Sequence, residues 1–152
     1  MKTNLIPVIF LSLTAGCATA PQAPPEPPIS IELRGTSVEV QQFIEDRLRG
    51  RSGFRIEAAS DRAITFKALC TDLPNMSVFQ CAAIMMTVGN SGWSGPYSVV
   101  TFRTAEIRGT VNLTVASEWC ATNVFGKTNC VTSGSNADAN DLLRKINQAY
   151  PR

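Results

Sequence analysis

Polar and apolar residues alternate from Ile29 through Ile31 to Leu33, the period-two pattern of a short strand over 29–33. Thr36, with Glu39 three places on, reads as a capping box. Val40, Phe43, Ile44 and Leu48 then share one helical face, so a helix is expected over 37–49. Glycines at 50 and 53 break it. Two alternating runs, 54–58 and 63–69, flank a turn at 60–62 and predict a hairpin. Over 74–88 the apolar run fits a buried strand or a helix. Gln80, Ala82, Ala83, Met85 and Met86 favour helix, with Pro74 in its first turn and Gly89 at its stop.

Residues 89–96 read as a loop, and 97–103 as a strand with Val100 and Phe102 inward. Ile107, Val111, Leu113, Val115 and Trp119 occupy odd positions between mostly polar neighbours, giving the cleanest strand pattern in the chain, interrupted near Gly109. A short strand over 128–132 pairs with it around a turn at 123–126. Ala139, Leu142, Leu143, Ile146 and Tyr150 mark a last helix over 135–150, stopped by Pro151. The order β-α-β-β-α-β-β-β-α predicts an α+β fold of two layers, with helices on one face of a mainly antiparallel sheet.

At 152 residues and 44% hydrophobic content, one core is expected. Fourteen basic and twelve acidic residues nearly cancel, so no nucleic-acid partner is indicated. There is no histidine. That excludes imidazole general bases, Ser-His-Asp and Cys-His nucleophiles and His-ligated metals, and no cofactor or metal is expected.

Before the first strand the pattern is of another kind. Lys2 precedes an apolar run, 5–13, which ends in small residues and a cysteine. Nine helical residues rise about 14 Å, against about 30 Å of hydrocarbon, so the run is a targeting segment and not a span. Residues 18–28 hold five prolines and no large apolar side chain, a composition that extends and does not pack. It reads as a stalk of about 34 Å.

The segment Leu13, Thr14, Ala15, Gly16, Cys17 resembles the lipobox of bacterial lipoprotein precursors, with Thr14 where that family prefers leucine. The resemblance implies lipid on the Cys17 sulfur and cleavage after Gly16. Ala18, in place of an aspartate, implies the outer membrane; the domain is expected to face the periplasm, with the cell surface as the alternative. The expected organisation is a signal peptide over 1–16, a lipidated linker over 17–28 and a single domain over 29–152. The plainer alternative is a signal peptide cut elsewhere, leaving a Cys17 thiol.

With Cys17 set aside, Cys70, Cys81, Cys120 and Cys130 remain, an even number in a chain sent to an oxidising compartment. Short loops favour Cys70 with Cys81 and Cys120 with Cys130. A four-thiolate zinc site lacks the usual paired C-x₂-C spacing.

Three further features invite a function. Arg47, Arg49, Arg51, Arg55 and Arg62 suit phosphates of lipid headgroups or lipopolysaccharide, or else complement a helix end among interspersed acids. Trp93, between glycines, grips a partner or membrane, or folds back over the sheet edge. Carboxylates can cleave glycans when two face each other across a cleft, but no pair among Glu39, Glu45, Asp46, Glu57 and Asp61 stands out, and Ser91 and Ser94 lack a base. The element order is similar to the two-layer domain of LptE-type lipopolysaccharide-assembly lipoproteins, a likeness of topology with no motif behind it. The expectation is a membrane-anchored, non-enzymatic binding or assembly module for an envelope protein or lipopolysaccharide. A peptidoglycan- or glycan-processing enzyme is the alternative.

Overall fold

The computed structural model describes residues 27–49, 53–89, 94–132 and 136–151. Its elements follow the expected order: β1 (Ile31–Arg34), α1 (Ser37–Leu48), β2 (Arg55–Ser60), β3 (Ala63–Leu69), a single 3-10 turn (Cys70–Asp72), α2 (Val78–Val88), β4 (Ser94–Ile107), β5 (Thr110–Thr122), β6 (Thr128–Thr132) and α3 (Ala137–Ala149). The strands form one sheet in the order β1-β5-β4-β3-β2, and every pairing is antiparallel. The fold is a two-layer α+β domain with its helices on one face of the sheet.

Side-chain alternation explains the layering. Ile64 lies opposite Phe102, and Phe66 opposite Val100, while Phe102 faces Val115 and Thr104 faces Leu113. These residues share one face with Leu33 and Val111 and pack against Val40 and Ile44 of α1 and Leu143 and Ile146 of α3. The Phe66 and Phe102 rings meet edge-on at 6.0 Å. The opposite face carries polar pairs beside buried Tyr97 and Cys120: Thr65 and Thr101 join hydroxyls at 3.2 Å, and Lys67 reaches Glu57 at 3.1 Å.

β4 takes one whole edge of β5, so β1 and β6 share the other. β1 pairs with Thr110 to Leu113, and β6 with Glu118 to Thr122. Asn140 of α3 lies just before β1. Its Oδ1 accepts the Ile29 backbone N–H at 3.0 Å and its Nδ2 donates to the Pro27 carbonyl at 2.9 Å. Those bonds draw the incoming backbone toward α3, and strand pairing starts at Ile31, two residues later than expected.

Other boundaries moved for local reasons. α2 starts at Val78, because Ser77 and Gln80 form a reciprocal capping box; Pro74 lies in the preceding turn. β4 extends from Ser94 to Ile107, well beyond 97–103, because β5 offers partners along nearly its whole length. The interruption near Gly109 is a two-residue hairpin turn with Arg108 at φ 52° and Gly109 at φ 80°, so Ile107 closes β4 instead of opening β5.

Candidate functional site

Both expected disulfides are present. Cys70 bonds Cys81, tying the end of β3 to α2, and Cys120 bonds Cys130 across the β5–β6 pair, where the Cα atoms are 4.1 Å apart. Glu118 lies beside Cys120 and Cys130, but both sulfurs are consumed in the bridge and offer no thiolate to a metal.

α2 contains no charged residue and buries little of itself. Cys81 and Val88 face inward, whereas Val78, Phe79 and Met86 are 76%, 87% and 77% exposed. The sequence marked this segment as apolar; it did not show that most of the apolar surface faces outward.

The described arginines, Arg47, Arg49, Arg55 and Arg62, do not form one patch. Arg47 lies in the last turn of α1 with its guanidinium 5.1 Å from the Phe43 ring centre, and Arg49 pairs with Glu45 one turn back. Arg49 and Arg55 line one small cavity with Phe54, Ile56 and Phe66. Arg62 sits in the β2–β3 turn, at the other end of that hairpin from Arg55, where its carbonyl accepts the Thr104 N–H. Cys17, Arg51, Ser91 and Trp93 lie outside the described residues.

A groove of about 190 Å³ runs between α1 and α3, floored by Phe43, Ile44, Leu48 and Leu142 and rimmed by Arg47 and Lys145. Lys145 is already partnered by Asp141 at 2.6 Å. An apolar floor under two cations suits a ligand with a hydrocarbon chain and an anionic head. Sequence reasoning assigned Phe43, Ile44, Leu48 and Leu142 to core-facing helix stripes; that the two stripes part and leave a groove depends on helix spacing, which has no sequence signal.

Several of the carboxylates are engaged in structure. Glu39 accepts the Thr36 backbone N–H at 2.8 Å, and these Thr36 hydrogen bonds, backbone first, hold its carboxyl below the usual range. Tyr150, edge-on to Phe43 at 5.0 Å, has its phenol pushed up by burial and, secondarily, by the Glu39 charge. Glu57 pairs with Lys67, and Glu106 accepts the Ser37 N–H at 3.1 Å. Asp46 and Asp61 are exposed. Compared with known proteins, the chain matches no protein-family model, no curated protein and no solved structure.

Proposed function

We propose that the chain is a lipid-anchored envelope protein, held on the outer membrane through Cys17 with its domain toward the periplasm, and that it acts as a non-enzymatic binding or assembly module. The supporting observation is the cysteine arithmetic. Two bridges take four of the five cysteines, and the odd one is the residue that closes the lipobox-like segment. Disulfide pairing favours an exported chain. The α1–α3 groove is the binding site in this reading, and its apolar floor and cationic rim suit an acylated, anionic envelope component such as lipopolysaccharide.

Metabolic labelling with radioactive palmitate tests the anchor. Wild type incorporates label and fractionates with membranes, and Cys17→Ser loses both; a variant that stays labelled and membrane-bound refutes the anchor. The binding role is read from lipid co-purified in mild detergent. Arg47→Glu with Lys145→Glu lowers bound lipopolysaccharide several-fold against wild type, and equal amounts on both proteins remove the groove from this reading.

A further inference from the structure

Both ends of the sheet carry charge on their strands and turns, but one of them also carries α2, which has none. One end holds the β4–β5 hairpin turn, the end of β1 and the β2–β3 turn, and there Arg34, Asp61, Arg62, Glu106 and Arg108 cluster in sequence register. The other end holds α2, the start of β4 and the β5–β6 turn, with α2 touching β4, β5 and β6. Residues 73–102, thirty in succession, include no charge, and Lys127 is the one charged residue within 119–137. Val78, Phe79 and Met86 of α2 are exposed at this end, and so are Val124 and Phe125 of the β5–β6 turn, the last at 90%.

Large apolar side chains exposed on one element mark an interaction surface. The strand register points to its occupant. Ile31 lies opposite Leu113 and Arg34 opposite Thr110, so β1, traced backward, points toward the Thr122 end of β5, where α2 packs. Cys17 precedes Pro27 by ten residues, a reach of at most about 36 Å when fully extended. An anchor at Cys17 therefore keeps Pro27 within about 36 Å of the bilayer, with α2 on the side from which the chain enters. The absence of charge matters here, since a lysine or aspartate on α2 would oppose entry among acyl chains.

We infer that the exposed face of α2, with the β5–β6 turn, rests in the membrane interface as a second, non-covalent contact with the lipid to which the chain is tethered. The inference rests on the lipid-anchor reading. α2 does not cross: its eleven residues rise about 16 Å, and among the described residues no helix is long and apolar enough to span a bilayer. Phe79, Val78 and Met86 lie along the surface, as in helices that bind lipid on one side.

Site-specific photocrosslinking in cells tests it. Benzoylphenylalanine is placed in the full chain at Phe79 or, as a control, at Ile107, which is 59% exposed at the end of the sheet away from α2. After irradiation of isolated membranes, mass spectrometry identifies the adducts, and the mass of the Cys17 peptide is read from the same sample. The expected result is phospholipid adducts at position 79 at least tenfold above those at 107. Adducts at 79 to another protein or to a second copy of this chain, or equal lipid labelling at both positions, overturn the inference. An acylated Cys17 without lipid adducts at 79 refutes the α2 contact alone; lipid adducts at 79 on a chain with unmodified Cys17 refute the anchor alone.

Discussion

Burying a primary amide costs several kcal/mol unless its donors and acceptor find partners. Asn140 is 1% exposed and meets that condition through the backbone of Ile29 and Pro27. The side chain thereby fixes where the incoming chain meets the domain. Asn140→Ala leaves the Ile29 N–H without its acceptor and is expected to lower stability by about 1–3 kcal/mol. Thermal melts give the loss, and hydrogen exchange should show faster exchange at Ile29 with little change in β4. A variant as stable as wild type would mean that water replaces the amide without penalty. Nothing in the sequence marks this residue, since an asparagine in a helix's first turn is ordinary and its partners lie more than a hundred positions away. The Thr36 and Glu39 cap was legible because both halves lie within one turn. The equivalent Ser77 and Gln80 pair was equally local, but Pro74 drew the expected helix start upstream.

α2 depends on its attachments. A free helix of eleven residues is marginal in water, and α2 has no ion pairs along it to offset that. Its two capping hydrogen bonds at Ser77, the αL glycine at its end and the Cys70–Cys81 bond supply what its thin buried face does not. Replacing Cys70 and Cys81 together by alanine removes a cross-link that closes a loop of about eleven residues, an expected cost of about 3 kcal/mol. Amide exchange in α2 should accelerate first, while β3 to β5, which carry Phe66 and Phe102, keep their protection. Uniform acceleration across all strands would show instead that the bond braces the entire domain. Both pairings were legible because each joins cysteines in neighbouring elements. The outward orientation of α2 was not, because an apolar segment reads alike whether its cover is protein or lipid.

For the molecule as a whole, the period-two signal gave nearly all of the sheet and the period-3.6 signal gave both core helices. Phe66, Phe102, Ile44 and Leu143 are fully buried where alternation or helical spacing put them inward. Strand ends were less legible, because β4 and β5 extend one another: each residue added to one offers a partner to the other, whatever its own propensity. The candidate site was less legible still. Arg47 was singled out by its charge, yet its neighbour Lys145 comes from α3, nearly a hundred residues on, and only packing joins them at one groove. The free side of β2 bears on how such molecules coexist. The ladder between β2 and β3 slips at Ile56 and Ala58, with exposed Glu57 at the slip, so the outer strand is short, kinked and charged. A straight, naked margin would invite one sheet to continue into the next, the more so under the proposed anchor, which would concentrate neighbours in two dimensions. This kinked margin spoils that continuation, so neighbours can crowd on a surface without fusing their sheets into fibres.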